Sequence, residues 1–294
     1  MNNYDDLLDN APIGEPNGQL PKEEYAAKKR AERDSIFALS DKTALEVAAD
    51  GNRLSQYLDL QSRLSRYSAV NALVILAQMP DASRLGDFDY WKEKKCFVKP
   101  GQKAISILEP HEYTKEDGSL GTGYNVKKVF NITQINTRDI KTNSPPSYNE
   151  RQLLKALIIK APVRITGVDE LPDNLGAMTD PKTGEISVRK GMEFAYTFRS
   201  VAQELAFAEF KTDPNQQADS SFSAYCASYL LCKKYGVDTQ GFDFVNAPAV
   251  FEGMDAQGIK GELSQIRAAA EDISGRMAKQ LDTGQRATRV QEAR

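Results

Sequence analysis

The chain has 294 residues, of which 40% are apolar and 27% charged, and its formal net charge at pH 7 is −3. This balance excludes an intrinsically disordered protein, and the acidic surplus excludes one that binds nucleic acid through charge alone. No apolar run approaches the roughly 18 residues that a membrane span requires, so no membrane partner is expected.

The start of the chain carries no export signal, because residues 1–10 are acidic and contain no extended apolar stretch. The three cysteines are an odd number without metal-ligand spacing. Both features predict a cytoplasmic protein.

The first half of the chain begins with a proline- and glycine-containing stretch over residues 1–21, which predicts a flexible lead-in. Helix-forming patterns then predict helices over residues 22–39, 43–64 and 68–79. The second helix has a weak point at Gly51 and Asn52, and the third ends before Pro80 because proline cannot continue a helix. β-branched and aromatic residues predict strands over residues 104–108 and 124–132, joined by a glycine-containing loop.

Residues 142–147, with two prolines and two serines, predict a domain boundary. Beyond it, the patterns predict helices and strands in the order helix 150–160, strand 163–166, strand 185–189, and helices 195–211, 216–235 and 259–281. The expected fold is α+β: N-terminal helices with a small antiparallel sheet over residues 22–141, then a mostly helical α+β domain over residues 148–282. A frayed tail is expected over residues 283–294.

A locally basic stretch lies within this acidic chain, since residues 61–103 hold eight basic and four acidic side chains. Unpaired bases stack on aromatic rings with about 1–3 kcal/mol each, while lysine and arginine contact phosphates. The mixture of rings and cations therefore favours single-stranded DNA, although a lone tryptophan is also typical of a core. The candidate contacts are Arg66, Tyr67, Asn71, Trp91, Lys92, Lys99, Lys103, Tyr124, Lys128 and Phe130.

The order of short motifs in this region resembles the N-terminal domain of ArdC-type antirestriction proteins. The motifs are Arg66-Tyr67-Ser68-x-x-Asn71, Pro80-x-Ala82-Ser83, Trp91 with basic neighbours, Val98-x-x-Gly101-x-Lys103 and Val129-Phe130-x-x-x-Gln134. The resemblance implies binding of single-stranded DNA by a protein of a mobile genetic element such as a plasmid. One departure is Lys95-Cys96-Phe97, where the family usually has a Gly-Arg pair before the valine.

The second half resembles the zincin-like metallopeptidase domain of the same family. Residues 200–208 resemble its Leu-Ala-His-Glu-Leu-Ala-His helix, in which two histidines bind zinc and the glutamate activates water. Gln203 and Phe207 occupy the histidine positions, and Glu204 keeps the glutamate. The third ligand, a glutamate in the family, aligns with Tyr225, and residues 176–188 resemble the edge strand that leads into the helix.

These replacements predict a degenerate metal site, because glutamine is a poor zinc ligand, phenylalanine is none and tyrosine is only an occasional one. The chain is therefore expected to have no cofactor and no enzymatic activity, and to bind single-stranded DNA as its partner. Two alternatives stay open: a metal-dependent peptidase with non-standard ligands, and a pure protein-interaction module. A protein partner for the degenerate domain is also left open.

Overall fold

The structure is a computed structural model that describes residues 21–115, 117–136, 148–211 and 220–292, without side chains beyond residue 282. The lead-in predicted over residues 1–21 falls outside this part of the chain except for its last residue, and the boundary predicted over residues 142–147 falls outside it entirely. In the described ranges, no helix is both long and apolar enough to cross a membrane.

Three helices open the first half, α1 (Lys22–Ala49), α2 (Gly51–Arg63) and α3 (Ala69–Gln78). The predicted weak point marks the real break, since extended Asp50 ends α1 and its carboxylate accepts the backbone N–H of Asn52 at 2.7 Å. The interruption predicted after residue 39 is wrong. There α1 continues without a break, and the hydroxyls of Ser40 and Thr43 donate to carbonyls of the preceding turn.

An antiparallel sheet with the strand order β1-β4-β3 packs beside these helices. Its strands are β1 (Leu85–Gly86), β3 (Ile105–Thr114) and β4 (Leu120–Asn131), and a separate pair joins β2 (Phe97–Val98) to β5 (Ile135–Asn136). The short helix α4 (Phe88–Glu93) and a 3-10 turn over Ile132–Gln134 connect them.

Both long strands extend beyond their predicted ends, because two glycines assigned to a loop lie inside β4. Gly121 pairs with Tyr113, and Gly123 pairs with His111. A Cβ atom on either glycine would lie under 3 Å from the facing ring. The rings thus cover the glycines across the ladder, a contact that the sequence of one strand does not reveal.

The second half combines a small mixed sheet with helices. Its elements are α5 (Glu150–Ile158), β6 (Ile165–Val168), β7 (Ala177–Thr179), β8 (Ile186–Arg189), α6 (Phe194–Lys211), α7 (Ser221–Tyr235), α8 (Ala247–Val250) and α9 (Ala256–Glu292). Strand β8 lies between parallel β6 and antiparallel β7. Helix α7 ends at Gly236, which adopts φ 68°, as predicted. Helix α9 continues past its predicted end at residue 281, into the stretch expected to be a frayed tail.

One hydrophobic core extends through both halves of the chain. Buried side chains of the first half, such as Leu58 and Leu73, belong to the same cluster as Leu205 and Leu263 of the second. Polar contacts join the halves as well: the Tyr229 hydroxyl donates to an Asp59 carboxylate oxygen at 2.8 Å, and Lys260 forms an ion pair with Asp41. The α+β class is confirmed, and its two parts share their interior.

Candidate functional site

Two cavities beside strand β3, of about 340 Å³ and about 310 Å³, form the candidate site. Five residues line both cavities: Arg66, Tyr67, Asn71, Leu108 and Pro110. Because β3 is the edge strand and successive side chains point to opposite faces, the cavities lie on the two faces and meet at the edge. We call this site the edge groove, with an aromatic lobe of about 340 Å³ and a charged lobe of about 310 Å³.

The aromatic lobe is lined by the rings of Phe37, Tyr67 and Tyr124. The Tyr124 ring meets Phe37 edge-on, with 5.6 Å between the ring centroids, and Tyr124 is 38% exposed. A ring held at its edge with part of its surface accessible can stack on a planar group such as a base. The lobe therefore offers an aromatic platform fixed by α1 and β4.

Arg66 lies where the lobes meet. Its guanidinium carbon is 5.0 Å from the centroid of the Tyr67 ring, and it donates to the Tyr67 hydroxyl at 3.1 Å and to the Leu85 carbonyl. In the part of the chain that the structure describes, no carboxylate forms an ion pair with Arg66. Its positive charge is therefore available to an anion in the groove.

The charged lobe centres on Lys127, whose ammonium lies 3.0 Å from an Asp87 oxygen and 2.7 Å from a Glu109 oxygen. Asp87 also caps α4 by accepting the Tyr90 N–H at 2.8 Å. This backbone bond and the bond from Lys127 lower the pKa of Asp87, while the bonds to Glu109 and Asp87 raise the pKa of Lys127. Lys127 and Asp87 are thus both charged at neutral pH.

Trp91 does not belong to the groove. It is 0% exposed, packs with Cys96 and Ile135, and donates its indole N–H to the Phe130 carbonyl at 3.0 Å. The prediction that Trp91 stacks on DNA is wrong, and the alternative of a core residue holds. The partly buried ring of Phe130 packs on the same cluster and lines neither lobe.

Asn71 lines the groove and also bonds to the edge strand. Its NH₂ group donates to the Leu108 carbonyl and its oxygen accepts the Leu108 N–H, both at 2.8 Å. Asn71 is only 8% exposed. It therefore holds α3 against the edge of β3, and its predicted contact with DNA stays a prediction.

The predicted lysine contacts lie outside the groove lining. Lys128 pairs with Glu32 at 2.7 Å, a contact that lowers the pKa of Glu32, and Lys99 donates to the Thr133 carbonyl at 2.9 Å. Lys92 and Lys103 are exposed. Of the predicted contacts, the structure brings only Arg66, Tyr67, Asn71 and Tyr124 together at the groove.

Sequence reasoning missed Phe37, Asp87, Tyr90, Glu109 and Lys127, which also line the groove. The alternation of side chains along β4 indicates that Lys127 lies on the face of the strand opposite Tyr124, so its place beside the sheet could have been predicted. The position of Phe37 could not be predicted from the local sequence, because its contact with Tyr124 joins two elements that are distant in the chain.

The helix that resembles the zincin motif is α6. Its Glu204 carboxylate accepts a hydrogen bond from the Thr179 hydroxyl at 2.5 Å, so it ties α6 to the end of β7. Phe207 is partly buried and packs against the main core. The retained glutamate thus has a structural partner, and one former ligand position contributes apolar contacts.

Tyr225 occupies the third ligand position within an aromatic cluster, which consists of Phe222, Tyr225, Tyr229, Phe242 and Phe244. Its ring centroid is 4.8 Å from that of Phe242, and its hydroxyl oxygen accepts the Asp243 N–H at 2.7 Å. Burial raises the pKa of Tyr225, which keeps the phenol neutral.

The donor set at these three positions does not fit zinc. It consists of the amide of Gln203, the ring of Phe207 and the engaged phenol of Tyr225, whereas zinc requires imidazole, thiolate or carboxylate ligands. Within the described ranges, no group of three or more histidine, cysteine, aspartate or glutamate side chains is arranged to hold a metal ion.

Comparison with known proteins shows what this chain is similar to. Residues 46–145 match the family model described as the N-terminal domain of anti-restriction factor ArdC. No match was found among curated proteins. The Mn(II)-bound crystal structure of the antirestriction ArdC protein from R388 plasmid is 15% identical with a TM-score of 0.52, covering 76% of this chain and 98% of that chain. The metal-free crystal structure of that protein is 18% identical with a TM-score of 0.48, covering 72% and 86%.

The family model covers much of the first half of the structure. The matched residues include α2 to α4 and all the strands from β1 to β5, and therefore most of the edge groove. The alignment with the Mn(II)-bound structure extends the similarity of fold into the second half of the chain. Residues 46–145 are therefore similar to the N-terminal domain of anti-restriction factor ArdC, and the fold of the chain resembles that of the Mn(II)-bound ArdC structure.

Proposed function

We propose that this chain is a single-stranded-DNA-binding antirestriction protein of a mobile genetic element, with a zincin-like second half that is catalytically inactive. The edge groove carries the DNA part of the proposal, because it joins an accessible ring to an arginine that no described carboxylate pairs. Its lobes of about 340 and 310 Å³ suit small planar groups such as bases. Only unpaired bases can enter them.

The charge of the chain limits how DNA binds. In the groove Lys127 is already paired to two carboxylates, which leaves Arg66 as the lining cation for a phosphate. Stacking on Tyr67 and Tyr124 then supplies much of the binding free energy. Affinity is accordingly expected to be modest and to have a shallow salt dependence.

The DNA part is tested by measuring the affinity of the full-length chain for two fluorescently labelled oligonucleotides by anisotropy at low salt. One is an unstructured single strand, and the other is a hairpin duplex of the same length. We expect tighter binding of the single strand. Equal binding of both forms would contradict the proposal, as would no binding of either. The duplex serves as the control for charge, since it carries the same phosphates without accessible bases.

The inactive second half is supported by its side chains: Phe207 and Tyr225 contribute to packing, and Glu204 bonds to Thr179. A protein exposed to zinc or manganese and then desalted is expected to retain no stoichiometric metal. Its melting temperature should not respond to a chelator. Retention of about one metal ion per chain, with a melting temperature that falls on chelation, would overturn this part.

The location and partners follow from the same proposal. The three cysteines are free and buried, in keeping with a cytoplasmic protein. The R388 plasmid named for the relative of similar fold supports a mobile element as the source of this chain. Single-stranded DNA is the partner proposed for the edge groove, and the second half is free to hold a protein partner.

A further inference from the structure

We propose that the charged lobe of the edge groove selects guanine among unpaired bases, an inference that rests on the proposed binding of single-stranded DNA. The two lobes differ in chemistry. Rings dominate the aromatic lobe, whereas Lys127, Asp87 and Glu109 bring one ammonium and two carboxylates to the charged lobe. A phosphate is disfavoured beside two carboxylates, so the group that enters this lobe is a base edge.

Lys127 is fixed as a donor. Its ammonium has three N–H bonds, of which Asp87 and Glu109 accept two, at 3.0 and 2.7 Å. Asp87 is itself held at the start of α4 by the Tyr90 N–H. Asp87 is therefore a positioning residue, and one N–H of Lys127 is left for an acceptor on a ligand.

Glu109 supplies the complementary acceptors. One of its oxygens bonds to Lys127, and its side chain is 50% exposed on the edge strand. A carboxylate has about four lone-pair sites, so both oxygens can still accept hydrogen bonds. Lys127 and Glu109 thus present one donor next to two acceptors.

Guanine matches this order of groups better than any other base. Its Watson–Crick edge carries the O6 acceptor followed by two neighbouring donors, N1–H and the N2 amine. Lys127 would donate to O6 while the Glu109 carboxylate accepts from N1–H and N2–H. Thymine offers a single donor between two acceptors, adenine one amine beside one acceptor, and cytosine one amine beside two acceptors. Each therefore forms fewer bonds with one donor and two acceptors.

The experiment compares labelled oligothymidylates of one length that differ only at one central base: thymine, guanine, or hypoxanthine, which lacks the N2 amine. We expect the full-length chain to bind the guanine strand about tenfold more tightly than the thymine strand, with hypoxanthine between them. Equal affinities would overturn the inference and leave the proposed function standing. No binding of any strand would remove both.

A matched pair of variants locates the preference. Glu109→Gln keeps the shape of the side chain but replaces one acceptor oxygen with a donor, so the guanine preference should disappear. Affinity for oligothymidylate should rise, because a negative charge is removed from the groove. Glu112→Gln, an exposed residue of the same strand outside the groove lining, should keep the preference. Loss of the preference in Glu112→Gln alone would contradict the assignment.

Discussion

The edge groove and the aromatic cluster of the second half use the same kinds of side chain, but only the groove leaves open cavities. Each combines tyrosine and phenylalanine rings with an arginine stacked on a tyrosine, at 5.0 Å for Arg66 over Tyr67 and 4.5 Å for Arg199 over Tyr196. In the groove the rings come from separate elements, Phe37 from α1, Tyr67 from the turn between α2 and α3 and Tyr124 from β4, and cavities remain beside them. In the aromatic cluster of the second half, Tyr225 and its neighbours face one another and fill the space between them.

The difference shows why residue composition alone does not identify a binding site. The elements that carry the groove rings do not close over the space beside the edge strand β3, so Tyr124 packs against Phe37 and stays 38% exposed. In the aromatic cluster each ring has at least two ring partners, with centroids 4.8–6.5 Å apart, so the rings cover one another. Four predictions test this contrast, and the first has the largest expected effect.

Trp91→Ala should lower the free energy of unfolding by about 3–5 kcal/mol, because it removes a fully buried ring and an indole hydrogen bond. Denaturant titration followed by circular dichroism measures the loss. Phe88→Ala, on the same helix α4 with 55% exposure, is the control and should change stability by no more than about 0.5 kcal/mol. A stable Trp91→Ala protein with weakened DNA binding would instead make Trp91 part of the groove.

Tyr225→Glu introduces a glutamate at the position where the sequence resembles the third zinc ligand of zincin-like domains. It should lower the free energy of unfolding by about 2–3 kcal/mol, because a carboxylate replaces a ring within the aromatic cluster. Tyr225→Phe is the control. It loses only the hydroxyl that accepts the Asp243 N–H, at a cost of about 1 kcal/mol. A zinc-dependent rise in the melting temperature of Tyr225→Glu would show that the surface still holds a metal.

Tyr124→Ala should weaken binding of single-stranded DNA by about 1–2 kcal/mol, because the ring is a half-exposed platform in the aromatic lobe. Anisotropy titrations measure the affinity, and the salt dependence should not change since no phosphate contact is lost. Tyr113→Ala removes a comparably exposed ring of the same hairpin that does not line the groove, and it should bind as the unchanged chain does. Equal losses in both variants would argue against a localised site.

The sequence predicted elements and local chemistry well, and spatial relations poorly. Helix α3, the break at Gly51 and the cap at Gly236 follow from local rules that act within one turn of a helix. Arg66, Tyr67 and Tyr124 were predicted from residue types that suit single-stranded DNA, and the structure places them in one groove. Local patterns are therefore sufficient to predict part of the lining of the candidate site.

The remaining parts depend on contacts between distant segments. Trp91 is buried because β4 and β5 pack around it, and Asn71 is engaged because α3 crosses the edge of β3. The division into two domains at residues 142–147 stays a prediction, and the contacts between the halves, the shared core and the bond between Tyr229 and Asp59, are likewise not evident from the sequence. Such pairings are set by the whole fold, and no window of the sequence contains both partners.

The smallest predicted effect is a pH dependence at the charged lobe. Hydrogen bonds from the Tyr90 N–H and from Lys127 lower the pKa of Asp87 in the folded protein. The charged carboxylate therefore stabilises the fold at pH values above the ordinary aspartate pKa of about 3.9. This contribution is lost as the pH falls through the lowered pKa of the folded state. Asp87→Asn removes the ion pair and keeps a side chain able to cap α4. Its stability should be lower than that of the unchanged chain at neutral pH by no more than about 1 kcal/mol, since solvent screens a carboxylate with this exposure.

The measurement is denaturant unfolding of both proteins from neutral pH to about pH 3, with the difference in free energy plotted against pH. That difference should be constant near neutrality and shrink on acidification, because protonated Asp87 no longer attracts Lys127. Asp89→Asn, at an exposed position of the same helix, provides the control and should give a smaller difference. A difference in unfolding free energy that grew towards low pH would contradict the prediction, because it would mean that the ion pair between Asp87 and Lys127 does not stabilise the fold.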